Sequence, residues 1–380
     1  MMARLALLRS TALALVLTLA VAPLLHGAKK KKTEEELTQT LEIPPDPPST
    51  IKAEVGRMVF HTSPLTNKGL LSQQVREAIK AIWRLNQGAA VVKIRALVAG
   101  TGDLRRVQSI VSEVFTEKKQ PLPVLSVVQV GLLPMEAAQV VLEATSLARK
   151  TVNPNGLAFI SGKGATGPMN AERPSAPVLP LAEKSIADLK TALTGIGLSG
   201  PDVVRVTCFQ SSLDDISQVQ SAVAQAFPAA AAVYAQTQRA PVSHVVECEA
   251  VARLKTPAGA SWKVMNPPGL TASPNFSQLA LAGPGPVVLS GGQLAFRTQD
   301  SDVRLCFDRL KKQLEEGGAS IGNVFWSSIY PLSRTVTDKV RSIRFEYYDK
   351  ANPPASTVLN FEGLPSLDAS FSLEVIAGMR

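Results

Sequence analysis

Cysteine is nearly absent: Cys208, Cys248 and Cys306 are the three in 380 residues, an odd number with no C-x-x-C pair. That excludes a disulfide framework and a zinc ribbon. Each sits among apolar neighbours in a stretch that reads as strand or helix, so buried free thiols are expected. A Cys208–Cys248 bridge stays open if the two strands share a sheet. Histidine is as scarce, at 26, 61 and 244, without ligand spacing, so no metal is expected and a serine triad has little to draw on. Aromatics make up 5% of the chain, and none interleaves with the basic stripe Arg76, Lys80 and Arg84, so stacking on single-stranded nucleic acid is not expected. That stripe reads as a solvated helix face, with phosphates or lipid head groups as the functional alternative.

One long apolar run exists, Thr11 to Leu25, preceded by Arg4 and Arg9 and followed by Gly27 and Ala28. It is about 15 residues long, short of the roughly 20 a bilayer needs. Residues 1–28 therefore read as a signal peptide cut near Ala28 rather than as an uncleaved anchor. The mature protein is expected to be exported, periplasmic or extracellular, with no transmembrane helix. Residues 29–50, KKKKTEEELTQTLEIPPDPPST, are charged and then proline-rich and read as a tether. The Lys29–Lys32 run is either solvated or laid on anionic lipid. Net charge is +9, and the excess lies early: residues 51–150 carry 14 basic and 7 acidic side chains, 151–256 carry 8 and 8, and 257–380 carry 12 and 11.

What the chain does have is internal repetition. "VVKIRALVAG" leads through Asp103 to Val107, Val111 and Phe115; "VVRVTCFQSS" leads through Asp215 to Val219, Val223 and Phe227. Lys93 to Phe115 and Arg205 to Phe227 are both 22 residues apart. A third passage, "NVFWSSIYPLS", leads to Val340 and Tyr348 with the same eight-residue step. Each passage opens on a strand and turn ("MVFHTSPLT", "LAFISGKGAT", "VVLSGGQLAF"), continues through a helix, and ends on "VVLEA", "VVECEA" or "FSLEVIA". The unit is β-α-β-α-β-β with an extra strand at its start, repeated over 51–150, 151–256 and 257–380. The run "GKGATG", Gly162 to Gly167, fits a dinucleotide fingerprint by spacing, but prolines follow before any helix, so it reads as an elongated copy of the opening turn.

This grammar resembles the Rid/YjgF family, on the "SGGQ" turn at Ser290–Gln293, the "VVK"/"VVR" strands, the proline loops and the terminal Glu-Ala strand. The resemblance implies an α+β, chorismate-mutase-like fold in three tandem copies, closing as a monomeric intramolecular pseudo-trimer with helices outside and sheets inside. It further implies ligand clefts between neighbouring copies, no cofactor, and hydrolysis of amino-acid-derived enamines or imines. In the family an arginine in "P-A-R-S" grips the substrate carboxylate and a glutamate on the last strand manages water. The arginine positions fall at Leu125, Ala232 (or Ala230) and Ser356, none basic; the glutamate positions fall at Val141, Glu247 and Ser372.

Glu247 is thus the candidate catalytic residue, with a strand-edge or interface carboxylate as the plainer reading. Ser161, Gly162, Ser290, Gly291, Gln293 and Arg239 are candidates for lining clefts, although loop arginines such as Arg239 are usually solvated. The expected partner is a small metabolite, an enamine or imine, keto or amino acid. The alternative is a non-catalytic module docking a protein partner or the cell envelope. Some family members have been described as ribonucleases, but export makes a nucleic-acid partner unexpected.

Overall fold

The first stretch of chain folds into β1 (Thr50–Glu54), β2 (Met58–Thr62), α1 (Leu71–Leu85), β3 (Ala90–Ala99), α2 (Arg105–Glu117), β4 (Val124–Val130) and β5 (Val140–Leu147). The second gives β6 (Leu157–Gly167), α3 (Leu179–Thr194), β7 (Val203–Gln210), α4 (Ile216–Ala226), β8 (Ala231–Gln236) and β9 (His244–Arg253). The third gives β10 (Trp262–Met265), β11 (Leu279–Ala282), β12 (Pro286–Ser290), β13 (Gln293–Phe296), α5 (Asp300–Gly317), β14 (Ala319–Pro331), α6 (Arg334–Ile343), β15 (Ala355–Val358) and β16 (Ala369–Met379). This computed structural model describes residues 43–167 and 177–379. The expected signal and most of the tether lie outside the described residues.

Helix α1 shows why these stretches form the elements they do. Leu71, Val75, Ala78, Ile79 and Ile82 fall on one buried stripe. It ends where Asn86 caps it and Gly88 takes φ +81°, a turn that side-chain-bearing residues resist. No helix among the described residues is long and apolar enough to cross a membrane.

The strands form three mixed sheets, ordered β2-β5-β3-β4, β10-β11-β6-β9-β7-β8 and β1-β12-β16-β14-β15, with β13 also on β16. In each, the opening strand pairs antiparallel with the last, the last pairs antiparallel with the middle, and the middle pairs parallel with the strand after its second helix. Three strands join the sheet of another stretch: β1 pairs with β12, and β11, with β10 beside it, pairs with β6, so the chain stitches sheet to sheet.

The helices cover one face of each sheet, making three separate apolar cores. The other faces meet one another. One inner apolar layer collects Val92, Phe159, Val251, Leu289 and Trp326; a second collects Leu97, Val128, Phe209, Tyr330 and Phe361. Along β3 the positions between them are Lys93 and Arg95, and along β7 they are Arg205 and Thr207.

A buried charged layer therefore lies between two apolar ones. Arg95, 2% exposed, reaches Glu143 through Nε, Tyr330 Oη at 3.1 Å through Nη1, and Thr207 Oγ1 and Glu249 Oε1 at 3.0 and 2.9 Å through Nη2. Arg205 joins Glu249 at 3.1 Å; Lys93 Nζ lies 3.2 Å from Glu374 and donates to Ser290 O at 3.0 Å. Tyr330 donates to Glu374 at 2.9 Å. Burial alone would raise the carboxyl pKa values of Glu143 and Glu374, but the neighbouring cations overcome it and hold both below the ordinary range. Each sheet contributes one of the three glutamates and at least one of their partners.

Two expectations are corrected here. Cys208 and Cys248 are disulfide-bonded, not free thiols, because the β7/β9 register sets them directly opposite with Cα atoms 4.1 Å apart; Cys306 is the buried free thiol. The run Gly162–Gly167 is not a turn but the continuation of β6, paired with β9 to Gly167↔His244.

Removing one member of a buried ion network strands the others, which costs about 3–5 kcal/mol. Arg95→Ala is expected to lower the unfolding free energy by about that amount in urea titration, with all three sheets melting together.

Candidate functional site

Glu247 lies on β9, opposite Gly164 of β6 and Phe209 of β7. Its carboxylate occupies room that glycine leaves. A Cβ on Gly162 would fall 2.0 Å from Oε1, and one on Gly164 would fall 3.0 Å from Oε2. The Gly-Lys-Gly spacing thus serves Glu247, not a phosphate. Between them Lys163 turns to the helix side, where its Nζ donates to Gln278 O at 3.0 Å; burial pulls its pKa down to about 7.

The facing wall comes from the third sheet. The Ser356 N–H of β15 donates to Ser161 Oγ at 2.9 Å, Ser161 Oγ donates to Ser277 O at 2.6 Å, and the Gly162 N–H donates to Thr357 Oγ1 at 3.1 Å. The Val358 N–H hydrogen-bonds Glu247. Beyond this seam opens a cavity of about 240 Å³ lined by Gly162, Glu247, Asn275, Arg341, Arg344 and Ser356, among others. A second cavity of about 240 Å³ adjoins it through Gly164, Glu247, Arg341 and Val358.

Two buried polar groups of the first cavity have no partner: the Ser356 hydroxyl and the Nε of Arg344. Ser356 is 4% and Arg344 2% exposed, so water compensates neither freely. Arg344 Nη2 is held by Asn275 O, and burial lowers its pKa to about 10, which leaves it cationic at neutral pH. Arg341, about half exposed, is 4.0 Å from Asp338. Burial, with the Glu249 charge behind it, pushes Glu247 up to about 8 against the pull of Lys163 and Arg341. At neutrality the cleft holds a protonated carboxyl and two guanidinium groups, an arrangement that attracts an oxyanion and can deliver a proton to it.

The other candidates fall elsewhere. Ser290, Gly291 and Gln293 meet Leu125 at the seam between the first and third sheets, where Gly292 N–H donates to Leu125 O at 2.9 Å and Gly291 N–H to Ser49 O at 2.9 Å. The space left is about 130 Å³, capped by Pro47, Pro48 and Ser49, and no charged group lines it. Ser290 Oγ accepts from Val375 N–H at 2.8 Å. Ala232 packs against the core of the second sheet. Arg239 turns to Glu362, its backbone N–H 2.8 Å from Oε2 and its guanidinium Nε 3.8 Å from Oε1. The basic stripe on α1 is partly neutralised, Arg76 by Glu113 and Lys80 by Glu77 at 2.8 Å.

Larger cavities, of about 340 and 360 Å³, lie on the first stretch, at Trp83 and Phe115 and under Pro64–Lys68. Two of their polar side chains are engaged locally, Asn86 with Ala89 O and Gly88 N–H and Glu77 with Lys80. Arg341 and Arg344 escaped the sequence reading because they come from α6 and the short turn after it, outside the strand position where the family arginine belongs. The signal available was an arginine inside the apolar run Ile343-Arg344-Phe345.

Residues 144–255 match the family model described as endoribonuclease L-PSP. The L-PSP match spans the end of β5 and the second sheet's own strands β6–β9, including Gly162 and Glu247. Solved structures similar to parts of the chain include the Rid-family protein YyfB of Yersinia pestis, at 19% identity over 32% of this chain and 100% of that one, TM-score 0.29. Rv2704 of Mycobacterium tuberculosis, of the YjgF/YER057c/UK114 family, is similar at 17% identity over 31% and 100%, TM-score 0.23. APE1501, a putative endonuclease of Aeropyrum pernix, is similar at 17% over 24% and 86%, TM-score 0.22. No curated protein matches the chain.

A carboxyl whose folded pKa is raised binds its proton more tightly in the native state, so its contribution to stability falls as pH rises from 4.5 to about 8. Glu247→Gln is expected to flatten that decline, measured as unfolding midpoints in urea at pH 5 and pH 8.5.

Proposed function

We propose that this is an exported RidA-like protein that binds a small acidic metabolite at the seam between its second and third sheets. The three α/β stretches are, on this reading, divergent copies of one unit closed into an intramolecular pseudo-trimer. The recurrence of one pairing scheme in all three sheets supports that, and tethering copies lets each seam diverge separately. Two seams have then lost the groups a ligand needs, with Val141 and Ser372 in the glutamate positions, while the third keeps Glu247. Residues 1–28 act as the export signal.

The observation that carries the reading is one cavity holding Glu247 with two buried, unpartnered donors, Ser356 Oγ and Arg344 Nε. Arg344, arriving from the turn after α6, takes over the carboxylate grip that Ser356 gave up when the strand position lost its arginine. The substrate class is an amino-acid-derived imine or its keto or amino acid relative. Water adds across C=N, the protonated Glu247 supplying a proton to nitrogen and the resulting carboxylate taking one from the water. Collapse of the carbinolamine then releases ammonia and leaves the carbonyl. A group titrating near 8 suits both transfers, worth typically 10²–10⁴-fold in rate.

Ammonia release from a freshly generated amino-acid imine is expected in the wild type and reduced about 100-fold in Glu247→Gln. Arg344→Gln is expected to raise KM more than it lowers kcat. No release above the Glu247→Gln background, together with no thermal shift by any keto or amino acid, would leave the non-catalytic docking module as the better account.

A further inference from the structure

The second cavity beside Glu247 has a chemistry of its own. Its wall carries the hydroxyls of Thr166, Thr237 and Ser243 and the amides of Gln238 and Asn360. Several of these are already half-committed, which fixes what they have left. Asn360 Oδ1 shares the Thr337 hydroxyl with Ser333 O, at 2.7 and 3.0 Å, leaving the Asn360 NH₂ to donate. Gln238 gives its NH₂ to Phe361 O at 3.1 Å, leaving Oε1 to accept. Thr237, also on this wall, is pinned by its backbone N–H to Gln210 O at 2.9 Å. The charged groups lining this cavity are Glu247 and Arg341, and both also line the first cavity.

The geometry points to a ligand whose far end is neutral and both donates and accepts hydrogen bonds, a carboxamide-ended side chain seated among Asn360, Gln238, Thr237 and Ser243. This rests on the reading of the first cavity as the carboxylate end, with Glu247 between the two. An apolar tail would bury the Asn360 amide and Gln238 carbonyl without partners, and such sites discriminate strongly against the analogue that lacks the polar group. A carboxylate tail would face Gln238 Oε1, and among the described residues the cation lining this cavity is Arg341, at the neck shared with the first cavity, so the tail's desolvation would be poorly compensated. The carboxamide matches both ends: its carbonyl takes the Asn360 proton and its NH₂ meets Gln238.

Three isosteric probes separate these cases: L-glutamine, L-glutamate and L-homoleucine, which end in amide, carboxylate and dimethyl groups. Titration calorimetry of the full chain at pH 7 is expected to find glutamine at least about tenfold tighter than either of the others. In Asn360→Leu, and independently in the milder pair Thr166→Val with Ser243→Ala, that ratio is expected to shrink to within about threefold, with thermal melting confirming a folded chain. Equal binding of the three, each weakened by Arg344→Gln, would overturn the amide pocket and leave the carboxylate cleft standing. Tightest binding of glutamate or homoleucine would likewise overturn it. Absence of binding by all three, with no thermal shift, would remove the cleft reading and this inference together.

Discussion

Arg95 is the point through which the three sheets hold one another. A single guanidinium bonds a glutamate of its own sheet, a glutamate and a threonine of the second, and a tyrosine of the third. Three carboxylates and three cations fill this layer, so charge cancels within it. The geometry satisfies most of the donors, which is the condition under which a buried ionic cluster is tolerated. An apolar centre would hold the sheets as well. What the ionic centre adds is orientation, because a planar fork with fixed donor directions accepts its partners in one arrangement.

Fixing the centre fixes the seams at the rim, and the seam chemistry follows from what each strand happens to carry there. Where β6 meets β15, the glycines of Gly162-Lys163-Gly164 leave room for Glu247, and α6 and the turn after it bring Arg341 and Arg344 alongside. Where the Gly291–Gln293 turn meets β4, Leu125 and the Pro47–Ser49 stretch fill the same kind of space. Glu247 and Glu249 illustrate the division, two residues apart on one strand. Glu249 joins the central network through Arg95 and Arg205, whereas Glu247 faces a cavity, lacks a close cation partner and is pushed up to about 8. Structural and chemical carboxylates are thus separated by burial and partner, not by residue type.

Much of this was legible in the chain. The helical stripes of α1, α3 and α5 and the strand pattern around Lys93 and Arg205 follow from periodicity, and the resemblance singled out Glu247 and, separately, Gly162. The Cys208–Cys248 bond was not legible, because it depends on a strand register that sequence spacing does not determine. Nor was the function of Glu143, Glu249 and Glu374, which read as a recurring terminal motif and turn out to converge in three dimensions. Arg344 was missed for a related reason. It sits about a hundred residues from Glu247 in sequence and on a different sheet's helix turn, so only the assembled seam reveals that its Nε and the Ser356 hydroxyl are both buried without partners.

The account stands or falls on Glu247 sharing a ligand cleft with Arg344. Carbon-13 NMR of the glutamate carboxyls, with the Glu247 signal assigned through Glu247→Gln, tests this most directly. A carboxyl titrating near 8 in the free protein, and moving when a small 2-oxo or amino acid is added, is the predicted result. A Glu247 signal titrating at the ordinary value of 4.5, unmoved by any such acid, would contradict it.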